Sequence, residues 1–212
     1  MKAGVLALQG AFREHREVLD ALGADAVEVR TPAQLAAIDA LLLPGGESTT
    51  MNRLLDTSGL REPLGAAIGD GLPVLGTCAG LILLAAEVLD GRPDQQPLGV
   101  LDCTVRRNAY GRQRDSFEAD LGVTGLPGGT FPGVFIRAPA IERIGPGVEV
   151  LADHDGRAVL VRQGVELLGV ELRALRVVHN PAVLAVAYAK NLAERSPVRV
   201  LGHRVIEFPA CD

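Results

Sequence analysis

Short apolar runs alternate with segments of helical periodicity through the first half of the chain, and this alternation constrains the fold more than any other feature. Four of the runs have the length and composition of buried strands. Between the first two, Phe12, His15 and Leu19 recur at helical spacing before Gly23. Repeated strand and helix units of this length predict a parallel sheet covered by helices on both faces. The predicted strands are residues 3–8, 26–29, 40–43 and 73–76.

Local signals then place the helices and the remaining strands. Thr31, Pro32 and Gln34 provide a cap, an N1 proline and an N3 glutamine for a short helix. Longer helical segments are predicted at residues 12–22, 50–69 and 79–88. After residue 98 the pattern changes to strands, which we expect to join the same sheet with antiparallel or mixed pairing. These strands are residues 100–105, 116–121, 133–136, 149–152, 158–162 and 167–172. The predicted fold class is α/β, with a central, mostly parallel sheet and added antiparallel strands.

Composition limits the number of domains and the kinds of partner. A chain of 212 residues with 48% hydrophobic content can fill one core, so we expect a single domain. The net charge of -5 argues against a nucleic-acid or anionic-membrane surface, which needs clustered Lys and Arg. No apolar run reaches the roughly 18 residues that a membrane helix needs, and residues 3–8 are too few for the apolar region of a signal peptide. We expect a cytoplasmic protein that binds small molecules or protein partners.

Cys78 stands where a buried strand runs directly into a helix through a turn of small residues. A turn of this kind lifts the side chain at its apex clear of the sheet, as in a nucleophile elbow. The start of the following helix favours thiolate over thiol and offers N–H groups to a developing oxyanion. The alternative is a buried cysteine that packs as a small hydrophobe. That alternative is favoured for Cys103 and Cys211, and three widely spaced cysteines indicate neither a disulfide framework nor a zinc site.

A second turn, at residues 43–50, also follows a strand and precedes a helix. Because it follows a strand, this turn lies at the carboxyl edge of the sheet, where ligands bind in open α/β folds. Gly45 and Gly46 allow the backbone to approach a ligand closely. An exposed N–H in this turn would complete an oxyanion hole opposite Cys78. The alternative is an ordinary turn that ends in a Ser or Thr helix cap.

These two turns resemble the signature loops of a known family, the glutaminase subunit of pyridoxal 5'-phosphate synthase, which is a class I glutamine amidotransferase. The matching segments are PGGESTT at residues 44–50 and GTCAG at residues 76–80. Further segments match in the same order: LQG at 8–10, REH at 13–15, RN at 107–108, GRQ at 111–113, SFE at 116–118 and VFIRAP at 134–139. The resemblance runs from residue 1 to about residue 170, so the sequence predicts an amidotransferase domain at 1–172.

The resemblance implies a glutaminase that hydrolyses L-glutamine to glutamate and ammonia, and that passes the ammonia to the lyase subunit of the synthase. It implies no metal and no bound cofactor. Cys78 is the implied nucleophile, and the N–H groups of Gly46 and Ala79 hold the oxyanion. An arginine suits an α-carboxylate, and Glu47 suits an α-ammonium group. The implied substrate-binding residues are Gly46, Glu47, Ser48, Arg107, Ile136 and Arg137.

The segment 173–212 departs from the family pattern. The family carries a base and its orienting carboxylate in a His-Pro-Glu turn, which cysteine amidohydrolysis requires. By position, Arg173 stands in place of the histidine and Leu175 in place of the glutamate, and neither side chain can act as a base. Three interpretations are open: a shifted reading frame, a non-catalytic family member that keeps the synthase-docking surface, or replacement of the base by His179. An amidotransferase of another pathway, such as histidine biosynthesis, would lack the matches at 107–108 and 135–137.

Overall fold

A parallel β-sheet forms the centre of the molecule. The computed structural model describes residues 1–110, 116–124 and 130–164 and the backbone of 184–187. In this part of the chain the central sheet consists of β1 (Lys2–Leu6), β2 (Asp25–Val29), β3 (Ala40–Leu43), β4 (Val74–Thr77) and β12 (Leu184–Ala187). Their order in the sheet is β12-β4-β3-β1-β2. Strands β1 to β4 pair in parallel, and β12 pairs antiparallel with β4.

The inner strands β1, β3 and β4 are apolar except for Lys2 and Thr77 at their ends, because both faces of the sheet are covered. Val5 and Leu43 are completely buried, and all four residues of β4 are buried. The predicted parallel sheet is confirmed, and so is the α/β fold class with added antiparallel strands. The predicted strand at 167–172 lies outside the described residues.

Five described helices connect and cover these strands: α1 (Phe12–Ala21), α2 (Pro32–Leu35), α3 (Ser48–Thr57), α4 (Arg61–Gly69) and α5 (Ala79–Leu84). The Thr31 side chain accepts the Gln34 N–H and Pro32 opens α2, as predicted. The prediction of one helical segment at 50–69 was incomplete, because α3 and α4 are separate helices with Gly59 between them at φ +68. Such a left-handed residue ends a helix. None of the described helices is both long and apolar enough to span a membrane.

The prediction that α5 continues to residue 88 was wrong. Ala85 leaves the helical conformation at ψ 151, and β5 (Ala85–Val88) pairs in parallel with β6 (Leu101–Arg106). Strand β6 also pairs antiparallel with β9 (Ala140–Ile144), so these three strands form a sheet of their own. Neither β5 nor β9 was predicted.

The remaining described strands form two antiparallel pairs. The first pairs β7 (Phe117–Gly122) with β8 (Thr130–Phe135), and the second pairs β10 (Val148–His154) with β11 (Arg157–Gln163). The expectation that strands 100–162 extend the central sheet was therefore wrong, because each of them pairs within a smaller sheet. Their buried faces join the same core through side chains such as Leu101, Phe135 and Val161.

Candidate active site

Cys78 lies at the apex of the turn from β4 to α5. Its backbone has φ 48 and ψ -99, a left-handed conformation that a residue with a Cβ seldom adopts. Strain of this kind costs of order 1–3 kcal/mol and persists only where the surrounding structure enforces it. Cys78 as a residue is partly exposed, and it lies at the carboxyl edge of the central sheet. This is the geometry predicted for a nucleophile elbow.

Close packing behind the elbow enforces this conformation. Helix α5 approaches β3 so closely at Gly80 that an added Cβ would overlap the Leu43 carbonyl oxygen. On the other side of the thiol, a Cβ built on Gly45 would lie 3.6 Å from the Cys78 Cβ. The two turns predicted from sequence therefore meet at Cys78.

The surroundings of Cys78 raise the pKa of its thiol, and burial is the largest cause. The Ala79 N–H, the positive charge of Arg137 and the Gly46 N–H each lower the pKa, in that order, without offsetting burial. The start of α5 thus favours thiolate, as expected, but burial outweighs this effect. Helix α5 has six residues, so its dipole adds little. The two N–H groups that act on the sulfur are those of the expected oxyanion residues, Gly46 and Ala79.

The end of β1 holds the turn that carries Gly46. The Gln9 side-chain oxygen accepts the Glu47 N–H at 2.9 Å, and the Ala11 N–H donates to the Gly45 carbonyl at 3.0 Å. Gly10 lies between these contacts at φ +92, and an added Cβ there would overlap the Gly45 oxygen. The conformation of the turn therefore depends on residues 9–11. Of these, the sequence analysis named only Gln9 and Gly10, as part of the LQG match.

The Glu47 carboxylate caps helix α3. It accepts the backbone N–H groups of Thr49 at 3.0 Å and Thr50 at 2.7 Å, and the Thr50 hydroxyl at 2.7 Å. Burial acts to raise the pKa of Glu47, but the bonds from Thr50 and Thr49 outweigh it and lower the pKa to about 2. The carboxylate also lies 3.5 Å from the Arg107 guanidinium. The cap is thus Glu47 itself, rather than the Ser or Thr of the ordinary turn considered above.

The Arg107 side chain lies beside the start of α3, where it contacts Glu47, Thr49 and Gln95. Its guanidinium donates to the Thr49 hydroxyl at 3.2 Å and to the Gln95 side-chain oxygen at 3.0 Å. The Gln95 amide in turn donates to the Ser48 hydroxyl at 3.2 Å. The structure thus brings Glu47, Ser48 and Arg107 together, with Gln95 as a link that the sequence analysis missed.

Ile136 and Arg137 follow β8 in a bend near the nucleophile. Arg137 is exposed and adopts φ 45, and among the described residues it is the one side-chain charge that lowers the pKa of Cys78. Ile136 is partly buried. Behind the bend, Phe135 stacks on Phe117 with ring centroids 4.6 Å apart, and Tyr110 and His154 pack on the same rings. This aromatic cluster anchors the chain at both Arg107 and Arg137.

His15 is a buried imidazole directly behind the elbow. Its Nε2 lies 3.2 Å from the Thr77 hydroxyl, and burial lowers its pKa to about 4. Cys103 is buried in β6, and burial raises its pKa to about 12, consistent with a packing role. Arg173, Leu175 and His179, which were discussed above in relation to the missing base, lie outside the described residues, as do His203 and Cys211. No group of three or more metal-ligating side chains gathers among the residues that the structure describes.

The fold and the elbow together define the class of protein. A solved structure of a glutamine amidotransferase superposes with a TM-score of 0.73 at 48% identity, covering 87% of each chain. The structure of PurLQS from Thermotoga maritima shares the fold at 18% identity, with a TM-score of 0.51 over 81% of this chain and 78% of that one. The molecule has the fold of a glutamine amidotransferase, with a cysteine at its elbow.

Sequence comparison identifies the family. The chain belongs to the SNO glutamine amidotransferase family, whose model matches residues 5–174. It is 55% identical over 194 residues to the pyridoxal 5'-phosphate synthase subunit PdxT of Acidothermus cellulolyticus, covering 88% of this chain and 94% of that protein. It is 59% identical over 163 residues to the protein of the same name from Parafrankia sp., covering 77% and 80%. The resemblance stated from the signature loops is confirmed.

Proposed function

We propose that the chain is the glutaminase subunit of a pyridoxal 5'-phosphate synthase. It hydrolyses L-glutamine to L-glutamate and ammonia, and passes the ammonia to the lyase subunit of the synthase for vitamin B6 biosynthesis. The observation that carries the proposal is the elbow, where Cys78 faces the N–H groups of Gly46 and Ala79. The relatives named as synthase subunits support the biosynthetic role and favour it over a non-catalytic binding protein. Biosynthetic enzymes of this kind are expected in the cytoplasm.

The proposed reaction is acyl transfer through a thioester. The Cys78 sulfur attacks the carboxamide carbon of glutamine, and the N–H groups of Gly46 and Ala79 stabilise the negative charge that develops on oxygen. Collapse of this intermediate breaks the carbon–nitrogen bond, and the nitrogen leaves as ammonia after it takes up a proton. Water then hydrolyses the thioester to release glutamate and restore the thiol. No metal or cofactor has a step in this scheme.

We assign substrate binding to the residues that surround the elbow. Arg107 and Arg137 supply cations for the α-carboxylate, and Glu47 supplies the anion for the α-ammonium group. Ser48 and the Gly46 backbone supply further hydrogen bonds, and Ile136 supplies an apolar contact. Glu47 would have to serve the substrate while it caps α3, which a carboxylate can do because each oxygen accepts two hydrogen bonds.

The base is assigned to residues 165–212. Because its surroundings raise the pKa of Cys78, the thiol needs a base to become a nucleophile. His15 is bonded to Thr77 and His154 is stacked in the aromatic cluster, so His179 and His203 are the histidines left for this role. If the amidotransferase domain ended at residue 172, both histidines would lie outside it. We therefore propose that the segment 173–212, although it departs from the family in sequence, takes part in catalysis.

Glutamate release from L-glutamine, with and without the lyase subunit, tests the proposal. Cys78→Ser should abolish release, whereas Cys103→Ala, which changes the other described cysteine, should retain it. Loss of activity in His179→Ala would identify His179 as the base. A parent chain that binds the lyase subunit but releases no glutamate would refute the glutaminase assignment and support the non-catalytic alternative. Reading the encoding DNA near codon 170 in the other frames tests the frame-shift interpretation, which a His-Pro-Glu run would support.

A further inference from the structure

Gln95 lies buried between two of the proposed substrate-binding residues, and it has no assigned role. It is 9% exposed, although it belongs to a segment, 92–96, whose other residues are exposed. Both ends of its amide are used, since Oε1 accepts from Arg107 at 3.0 Å and Nε2 donates to the Ser48 hydroxyl at 3.2 Å. This buried amide bonds a residue 47 positions away in sequence, and buried polar groups of this kind are held by specific hydrogen bonds.

The partners determine which way this amide is oriented. Arginine has N–H donors and no acceptor, so the atom that faces Arg107 must be the Gln95 oxygen. The NH₂ group therefore faces Ser48, and the Ser48 oxygen must accept. Because the Ser48 oxygen accepts from Gln95, the Ser48 hydroxyl keeps its own proton to donate in another direction. A single side chain thus bonds both the Arg107 guanidinium and the Ser48 hydroxyl.

A second set of contacts fixes the backbone next to Gln95, at Gln96. The buried Asn52 side chain bonds the backbone of Gln96 on both sides, donating to its carbonyl at 2.7 Å and accepting its N–H at 3.3 Å. Arg61 donates to the same Gln96 carbonyl and to the Asn52 side-chain oxygen, each at 2.8 Å. Because Asn52 and Ser48 are both on α3, this clamp places Gln95 in fixed register with the start of that helix.

We propose that Gln95 is a positioning residue for glutamine binding, which aligns Arg107 and Ser48 to receive the α-carboxylate of the substrate. This inference rests on the proposed function, because it concerns the same site and the same substrate. Gln95 itself contacts protein groups, so its effect belongs to substrate affinity rather than to the chemical step. Its loss should weaken the binding of L-glutamine and leave the reactivity of the Cys78 thiol unchanged.

The experiment measures how L-glutamine protects Cys78 of the full chain from iodoacetamide, with modification at Cys78 followed by peptide mass spectrometry. This readout reports binding whether or not turnover is fast. Gln95→Met keeps the volume of the side chain and removes both hydrogen bonds. Gln96→Met is the matched control, because the Gln96 side chain is exposed and its bonds with Asn52 use its backbone.

We expect Gln95→Met to raise the L-glutamine concentration for half protection about tenfold, as for a lost hydrogen bond to a charged group, with the alkylation rate without glutamine unchanged. Gln96→Met should match the parent chain. In the glutaminase assay Gln95→Met should raise KM and leave kcat close to the parent value.

Equal protection of parent and Gln95→Met would overturn the inference and leave the proposed function standing. Absence of protection in the parent chain would refute the proposed function and the inference with it. A changed alkylation rate in Gln95→Met without glutamine would show a structural role and overturn the positioning role.

Discussion

Cys78 combines a strained backbone with a thiol that its surroundings keep protonated. Burial raises its pKa, while two N–H groups and the charge of Arg137 act in the opposite direction. The two N–H groups belong to the proposed oxyanion site, where negative charge would develop during acyl transfer. Their effect should therefore be larger on the transition state than on the resting thiol, since preorganised donors act most strongly on the charge that forms.

The charge of Arg137 should accelerate modification of the resting thiol. Arg137→Gln removes a cation that lowers the pKa of Cys78, so the thiolate fraction near pH 8 should fall and iodoacetamide should react more slowly. Because Arg137 is exposed and screened by solvent, we expect a change of about two- to threefold. Arg106→Gln removes another exposed charge, one that pairs with Glu142, and it should leave the rate unchanged. Equal rates for the parent and Arg137→Gln would contradict the electrostatic role.

His15 should make the stability of the fold depend on pH between 6.5 and 4. Burial lowers its folded-state pKa to about 4, so as the pH falls the unfolded chain takes up the proton first. The stabilisation is complete above pH 6.5 and is lost towards pH 4, and it amounts to about 2 kcal/mol between pH 7 and pH 5. Denaturant unfolding at these two pH values should show the loss in the parent chain, and His15→Gln should remove most of it. Glu47, whose pKa falls from 4.5 to about 2 on folding, loses its stabilisation as the pH falls from 4.5 towards 2, so it changes little between pH 7 and pH 5. Parallel pH profiles for the two proteins would rule out His15 as the cause.

At the scale of elements, the site is built where β1, β3 and β4 end side by side. Residues 9–11 after β1 hold the turn after β3, and that turn faces the elbow after β4. The order of the strands in the sheet, rather than their order in sequence, decides these contacts. A change after β1 should therefore alter chemistry at Cys78.

Gly10→Ala should damage the site, and not only the stability of the chain. An alanine at φ +92 is strained, and its Cβ would overlap the Gly45 oxygen, so the turn that carries the Gly46 N–H must move. Gly59→Ala is the matched control, because Gly59 has φ +68 and open space around it. Both variants should lose about 1 kcal/mol of unfolding free energy from backbone strain. Only Gly10→Ala should also lower kcat for glutamine hydrolysis, by about tenfold or more for a displaced oxyanion donor. If both variants keep the parent kcat, the contact between Gly10 and Gly45 has no part in catalysis.

The sequence was informative wherever a function depends on local pattern. The strand, turn and helix around Cys78 and the glycine turn at 44–50 could be predicted because neighbouring residues determine them. Gln9 and Gln95 could not, because their contacts join residues 38 and 47 positions apart and leave no local periodicity. The same limit explains why β5 was predicted as helix, since its pairing with β6 is non-local.

At the scale of the whole molecule, the described part of the chain holds the proposed nucleophile, oxyanion site and substrate-binding groups, and we propose that the base comes from residues 165–212. The family model ends at residue 174, next to the position where the family carries its His-Pro-Glu turn. On the proposed assignment, proton transfer to the leaving nitrogen depends on a group from residues 165–212. The effect of the departure of 173–212 from the family should therefore be measurable in the rate of glutamine hydrolysis.

Restoring the family residues should raise that rate. Arg173→His with Leu175→Glu returns an imidazole and a carboxylate to the positions that the resemblance assigns to them, and general acid and base catalysis contributes about 10²- to 10⁴-fold. We expect kcat for glutamate release, measured with the lyase subunit, to increase by about 100-fold or more with little change in KM, because Arg107 and Ser48 are untouched. Arg176→His is a control that adds a histidine nearby without completing the pair, and it should have no effect. Should the double variant match the parent while His179→Ala abolishes activity, the base is His179, and the segment after residue 172 belongs to the catalytic domain.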